Sequence, residues 1–217
     1  MTLVEILGWT ATVVGTVLAM PQLVRLARTR NIEGLSLVGW QTALVLNIAW
    51  TVHGITIGQL PQILSSSLAL FTTVPILVLM SRELGRRILP TVAPSLVIAA
   101  VMISVDLGLG SAAYGIVAIF PGIAITAAQS VELVRADHVR GVSPVSLSLG
   151  FLNLTLWGVW ALLVNDSGTM IAISTTWFVA VFNISWYVAR RFGLRPFFVR
   201  TSQAEPEPVL VAACQEA

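Results

Sequence analysis

One stretch of the chain, PQLVRLARTRNIEGLS at residues 21–36, returns in a weaker form 107 positions later as AQSVELVRADHVRGVS at residues 128–143. The aligned pairs are Gln22 with Gln129, Arg28 with Arg135, Gly34 with Gly141, Ser36 with Ser143, and, outside the motif, Gly8 with Gly115, Gly15 with Gly122 and Trp50 with Trp157. An internal repeat restricts the possible folds strongly, because each copy must form the same structural unit. The sequence therefore predicts two similar halves.

The composition indicates the solvent in which these halves fold. Of the 217 residues, 56% are hydrophobic and 10% are charged, and the mean hydropathy is +0.89. A soluble domain carries about 25% charged residues, so this chain has too few polar groups to cover a surface in water. We therefore predict an all-α integral membrane protein. The first residues lack a basic region and a cleavage site, which indicates a retained helix.

Seven apolar segments are long enough to cross a bilayer, since about 20 helical residues span a core of about 30 Å. They cover residues 3–25, 37–57, 61–80, 88–107, 112–134, 145–164 and 169–189. All twelve basic residues are arginines, and they follow only the first, third, fifth and seventh segments. The positive-inside rule places these arginines in the cytoplasm. The chain is thus predicted to cross the cell membrane seven times, with its N-terminus outside and its C-terminus in the cytoplasm.

The apolar segments hold almost no charge. Glu5 and Glu132 lie near segment ends, and Asp106 and Asp166 are assigned to short turns. We therefore expect no proton relay of buried carboxylates. The sequence also shows no metal-ligand cluster, no nucleophilic grouping and no phosphate-binding glycine loop. It predicts neither an enzyme nor a bound metal or cofactor, and no nucleic-acid partner.

The repeat and the topology together predict the architecture. Each copy contains three segments, and two units of three can lie parallel only if one further helix joins them. The fourth segment has no counterpart in the repeat and fills this role. We predict two three-helix bundles at residues 1–81 and 111–190, a linker helix within 82–110, and a flexible cytoplasmic tail at 191–217.

The motif itself resembles a known family. Pro21-Gln22 near the end of a first helix, followed by arginines and a Gly-Leu-Ser turn, resembles the PQ-loop motif. The three-one-three layout over residues 3–190 resembles the SWEET sugar transporters, and the run WTVHG to SSSLALFTTVPILV is similar to their single-bundle SemiSWEET relatives. The resemblance implies energy-independent diffusion of mono- or disaccharides by alternating access. Two bundles complete a transport unit, so a monomer suffices, although a homo-oligomer is also possible.

The resemblance also implies a midplane pocket, lined by the second and third helices of each bundle. Trp50 and Trp157 fall at the second-helix position, where an indole face can cover the C–H face of a sugar. On the third helix, where the family has asparagine, this chain has Ser66 beside Ser67 and, in the second bundle, Ser174.

Asn47 and Asn153 lie about one turn before the two tryptophans. They either contribute amides to the pocket or bond across helices. His53, one turn after Trp50, is either a hydrogen-bonded polar residue or a proton-coupling group.

Prolines in the family's helices act as hinges, and this role is predicted for Pro21 and its neighbour Gln22. In the second half the corresponding residues are Gln129 and, two turns earlier than the proline position, Pro121. The small residues repeated at Gly8 and its equivalents either only pack helices together or also allow them to slide.

Two other functions keep the same fold. One is a PQ-loop carrier of an amino acid or another small solute, although such carriers tend to use buried acids. The other is a membrane receptor or scaffold that transports nothing. The predicted partners are a small solute, with a sugar favoured, and the lipid bilayer.

Overall fold

The computed structural model describes residues 2–32, 35–135, 143–195 and 197, and this part contains helices but no strand. The helices are α1 (Leu3–Thr29), α2 (Leu37–Thr56), α3 (Leu60–Glu83), α4 (Ile88–Leu109), α5 (Ser111–Arg135), α6 (Pro144–Val164) and α7 (Ser167–Arg191). Each bound lies within four residues of the predicted segment, and the all-α membrane class is confirmed. Gly34, Gly141 and the tail beyond residue 197 fall outside the described residues.

The serine of the repeated motif caps a helix in both halves. The Ser36 hydroxyl accepts a hydrogen bond from the backbone N–H of Gly39 (3.0 Å), and Ser143 accepts one from Ser146 (3.2 Å). Such a cap satisfies one of the free N–H groups at a helix start. The repeat therefore retains this serine because it sets the start of α2 and α6.

Six helices in the described part of the chain are long and apolar enough to cross a membrane. The helix that does not meet this criterion is α2, which carries Gln41, Asn47 and His53 among its apolar residues. A membrane protein is thus supported, while the seventh span and the orientation of the termini stay predictions.

Both halves pack their helices in the same order. Helix α3 packs against α1 and α2, and α7 packs against α5 and α6. Between the halves, α1 contacts α6 and α2 contacts α5, two pairings that the repeat relates to each other. Helix α4 packs against α2, α3 and α5. The exact boundaries of the two bundles stay a prediction.

The repeated glycines lie at close contacts between the first and third helices of each half. A Cβ atom on Gly8 would lie 2.7 Å from the Pro61 Cβ, and one on Gly115 would lie 2.5 Å from the Gly168 carbonyl oxygen. Positions 61 and 168 are themselves equivalent in the repeat. These glycines therefore pack helices together, and helix sliding at these contacts stays a prediction.

Candidate functional site

A cavity of about 350 Å³ lies between the two halves. Residues from α1, α2 and α3 line one side of it, and residues from α5, α6 and α7 line the other. Sites for small molecules measure roughly 300–1,000 Å³, so the cavity has the size and the position of a ligand site.

The cavity wall uses the same positions of the repeat in both halves. Among the described residues, eight pairs of equivalent positions line it: Trp50 and Trp157, Gly15 and Gly122, Leu46 and Asn153, Asn47 and Leu154, Gln62 and Thr169, Ser65 and Ala172, Ser66 and Ile173, and Ala69 and Thr176. The positions match but the chemistry differs. Among the lining residues, helix α3 presents one amide and three hydroxyls, from Gln62, Ser65, Ser66 and Thr72, whereas α7 presents two hydroxyls, from Thr169 and Thr176. A bound solute would therefore meet a more polar wall on the α3 side.

Three lining side chains carry buried oxygen atoms that have no hydrogen-bond partner in the described structure. They are Gln62 Oε1, Asn153 Oδ1 and Thr169 Oγ1. Leaving a buried polar atom unpaired costs about 1–3 kcal/mol, so these atoms require a partner such as water or a ligand. The amide oxygens of Gln62 and Asn153 only accept hydrogen bonds. The cavity is therefore suited to a solute with several O–H or N–H donors.

The two predicted tryptophans both line the cavity. The Trp50 ring meets the rings of His53 and Tyr114 edge-on, at centroid distances of 5.4 and 4.8 Å. The Trp157 ring meets Trp160 edge-on at 5.2 Å. Each indole plane is thus held by a neighbouring aromatic ring.

Three other predicted residues also line the cavity, and two do not. Asn47, Asn153 and Ser66 lie in the wall. The Asn47 side-chain amide also donates to the Thr73 hydroxyl (3.0 Å), so it faces the cavity and bonds across to α3. Ser67 and Ser174 lie outside the lining; Ser174 is exposed, and its hydroxyl donates to the Met170 carbonyl at 2.6 Å.

The predicted hinge residues lie away from the cavity wall. Helix α1 continues through Pro21 and α5 continues through Pro121. Pro21 and Gln129 are exposed, while Gln22 and Pro121 are half-buried. Their role as hinges or gates stays a prediction.

A buried ionic cluster lies at the end of the molecule away from the arginines, which we call the outer end. His53 has no exposed surface, and Asp106 and Asp166 are 7% and 5% exposed. The His53 Nδ1 lies 2.9 Å from Asp106 Oδ2, and the Nε2 lies 3.1 Å from Asp166 Oδ2. The Tyr114 ring stacks on the imidazole at 4.5 Å.

Asp106 and Asp166, which the sequence assigned to short turns, are therefore buried at helix ends, while the expectation of no proton relay stays a prediction. Asp106 belongs to α4, which continues to Leu109, and Asp166 is the N-cap of α7. A buried carboxylate needs a partner, and His53 supplies one to each. The sequence signal for this cluster was a histidine and two aspartates close to the ends of otherwise uncharged segments. Their pairing was not visible because the three residues are far apart in the chain.

Asp166 is the most highly coordinated member of the cluster. Its carboxylate accepts hydrogen bonds from the Ser111 hydroxyl (2.6 Å) and from the backbone N–H groups of Gly168 (3.1 Å) and Thr169 (3.2 Å). Burial favours the neutral acid, but the hydrogen bonds from His53, Ser111 and Thr169 outweigh it and hold the pKa of Asp166 below its ordinary value. Asp166 is therefore an ionised carboxylate at neutral pH.

The cluster is not arranged to bind a metal ion. Its two carboxylates lie at opposite nitrogens of one imidazole ring, so the three side chains do not converge on one point. No group of three or more potential ligands suited to a metal ion occurs among the described residues.

Comparison with known proteins finds one similarity, in the first half of the chain. Residues 3–63, which cover α1, α2 and the start of α3, match the family model of the PQ loop repeat. No curated protein matches the chain. The repeat match supports the PQ-loop superfamily, and together with the membrane-length helices it supports a transporter-like membrane protein.

Proposed function

We propose that this protein is a SWEET-type transporter that lets small neutral polyhydroxylated solutes, mono- or disaccharides, diffuse across the membrane by alternating access. The observation that supports this most directly is the cavity between the halves, which is lined by equivalent positions of the repeat and contains unpartnered buried oxygens. Its volume of about 350 Å³ is near the small end for ligand sites. This size favours a monosaccharide in the present conformation.

The chemistry of the cavity wall favours a neutral solute over an amino acid. None of the described residues that line it carries a charge. Moving the charged groups of an amino acid out of water without partners is costly. Sugar hydroxyls instead match the free oxygens of Gln62 and Asn153, and indole faces match the C–H faces of a sugar ring.

Under this proposal, the structure represents a state with a closed outer end. There the cluster joins α2 and α4 to the connection before α7. Close to it, the start of α1 meets α6, since a Cβ on Gly8 would lie 3.0 Å from Trp160 Nε1. Opening toward the outside then requires the two halves to part at these contacts, while the cavity closes toward the cytoplasm.

Counterflow in proteoliposomes tests the proposal. A panel of labelled sugars and amino acids is exchanged by the wild type, by Trp50→Ala and by Trp157→Ala. Each substitution is expected to lower sugar flux roughly tenfold, the equivalent of about 1.4 kcal/mol of lost contact. Trp40→Ala is the matched control, because Trp40 packs within the first half outside the cavity. Wild-type flux of no sugar, or flux that both cavity substitutions leave intact, would contradict the proposal.

A further prediction concerns Gln62, which the sequence did not single out. Replacing Gln62 by leucine removes the free amide oxygen while keeping a similar volume. Sugar affinity is expected to fall roughly fivefold, since a hydrogen bond contributes about 1 kcal/mol. Tryptophan fluorescence titration measures it. Gln59→Leu is the control, because Gln59 lies three residues away and outside the cavity wall.

A series of deoxy sugars sharpens this prediction. If Gln62 accepts one particular hydroxyl, the sugar that lacks this hydroxyl binds wild type and Gln62→Leu equally well. Equal losses for all sugars in the variant would instead indicate a general change in the cavity.

A further inference from the structure

The cluster at the outer end connects three segments that belong to different parts of the fold. His53 belongs to α2, Asp106 to α4, and Asp166 precedes α7, with Ser111 at the start of α5 beside it. Any motion that opens this end between the halves must break the hydrogen bond between His53 and Asp166. The protonation state of the cluster therefore affects how easily this end opens.

The hydrogen bonds determine where protons must lie. The Ser111 hydroxyl accepts from the Gly168 N–H (2.8 Å), so its own proton points to Asp166. Asp166 receives donors only, as an ionised carboxylate does. The His53 Nε2, at 3.1 Å, must therefore carry a proton and donate it to Asp166.

The other side of the imidazole needs a second proton. The His53 Nδ1 lies 2.9 Å from Asp106 Oδ2, and two lone pairs at that distance would repel each other. A neutral imidazole has one N–H only, and it is already used. The closed cluster thus holds one proton more than a neutral histidine with two carboxylates. That proton lies between His53 and Asp106.

The groups that face His53 supply no other solution. Besides the two aspartates, the ionisable group in contact is Tyr114, which presents its ring face. The Trp50 ring lies nearly perpendicular to the imidazole, and the Thr56 hydroxyl lies 2.7 Å from the His53 carbonyl and 3.2 Å from Asp106. The Thr56 hydroxyl can donate to Asp106 Oδ2, but none of these described contacts donates a hydrogen bond to Nδ1.

We propose that His53, Asp106 and Asp166 form a proton-binding lock. While the extra proton is bound, the outer end stays closed. When the proton leaves, the outer end can open. This inference rests on the alternating access of the proposed function. When the halves part, water reaches the three side chains, and a solvated histidine loses its proton near neutral pH. The closed state then binds one proton more than the open state, so acid favours closure and alkali favours opening.

The proton exchanges with the outer side only, because the cluster lies at that end and is buried when the end is closed. The lock therefore makes transport sensitive to external pH without moving a proton across the membrane with each solute.

Distance measurement between spin labels tests the lock directly. Leu60 and Leu163 are exposed, at 56% and 43%, and lie at the outer ends of α3 and α6. In the full chain with Cys214→Ser, both are replaced by labelled cysteine, and the protein is placed in lipid nanodiscs. Between about pH 6 and about pH 8, the ratio of the long-distance to the short-distance population is expected to rise roughly tenfold, since linkage to one proton allows at most tenfold per pH unit.

Two substitutions identify the groups that cause the pH dependence of the distance. Asp106→Asn lets a neutral histidine satisfy both sides, because the asparagine amide can donate to Nδ1; this variant is expected to keep the short distance at both pH values. His53→Gln has no titratable ring and is expected to show no pH dependence. An unchanged wild-type distribution, longer distances in acid, or wild-type pH dependence in Asp106→Asn would each overturn the lock.

The two proposals can fail separately. The distance measurement uses no solute, so it reports the pH dependence of opening at the outer end even when counterflow finds no transported sugar. If His53→Gln does not fold, Asp106→Asn alone decides the result, because it preserves the size of the side chain and the pair between His53 and Asp166.

Discussion

Replacing Asp166 by alanine is expected to lower the melting temperature of the detergent-solubilised protein by about 10 °C. The substitution removes the partner of the buried His53 Nε2 and the side-chain acceptor for Ser111, Gly168 and Thr169. Breaking a buried charged pair costs about 3–5 kcal/mol, and losing a helix N-cap costs about 1 kcal/mol. At about 2–4 °C per kcal/mol for a chain of this size, the lower estimate already corresponds to a shift of this magnitude.

Asp166→Asn separates the two contributions. Asparagine is a good N-cap, so this variant keeps the cap of α7 but loses the negative charge opposite His53. An intermediate melting temperature is expected at about pH 6, where the lock is closed. Ser167→Ala is the control, because Ser167 is the exposed neighbour. If Asp166→Ala melts like Ser167→Ala, the cluster contributes no stability.

The pH dependence of this contribution has a defined sign. Hydrogen bonds hold the pKa of Asp166 below its ordinary value, so the folded state favours the ionised form. The stabilisation is present above the ordinary pKa of an aspartate, about 3.9, and is lost as the pH falls toward the lowered value. The difference in melting temperature between wild type and Asp166→Asn should therefore persist down to about pH 5 and narrow below about pH 4.

Much of the fold was predictable because its determinants are local. The length of each apolar segment sets the length of a helix, and the serine caps at Ser36 and Ser143 mark two helix starts. The repeat predicted which positions recur, and the structure places Trp50 and Trp157 together at one cavity. Both consequences follow from neighbouring residues or from a fixed spacing in the chain.

The ionic cluster was not predictable in the same way, because its pairing is tertiary. Asp106 lies three residues before the end of α4 and Asp166 caps α7, so each looks like an ordinary turn residue. Only the packing of α2 against α4 and α5 brings His53 between them. The same holds for the cavity wall, where helix rotation turns Ser66 inward and leaves Ser67 outside the lining.

The cavity and the cluster share one residue, Trp50. It lines the cavity, and its ring meets the rings of His53 and Tyr114 nearly perpendicularly. A solute stacked on the indole would therefore press on a ring that supports the imidazole. Through this contact, solute binding can shift the balance between the closed and the open outer end. The spin-label distance measurement, repeated with saturating sugar, shows which of the two states the sugar favours.

The other large expected effect concerns Gly115, where no side chain fits between α5 and α7. A Cβ atom at this position would lie 2.5 Å from the carbonyl oxygen and 2.8 Å from the Cα atom of Gly168. Both are backbone atoms, so a rotamer change cannot relieve the clash and the helices must move apart. We expect Gly115→Ala to lower stability by about 3 kcal/mol, which corresponds to a fall of about 6–12 °C in melting temperature.

Gly150→Ala is the matched control, because a Cβ on this α6 glycine would meet no atom within 4 Å. It is expected to leave the melting temperature unchanged or to raise it slightly, since alanine favours a helix by about 1 kcal/mol over glycine. Because Gly168 also donates to Ser111 and Asp166, the shift of α7 in Gly115→Ala should disturb the lock as well. The spin-label distance in this variant is then expected to be broad at about pH 6, where the wild type is closed. A melting temperature equal to that of Gly150→Ala would show that α5 and α7 tolerate separation at this contact.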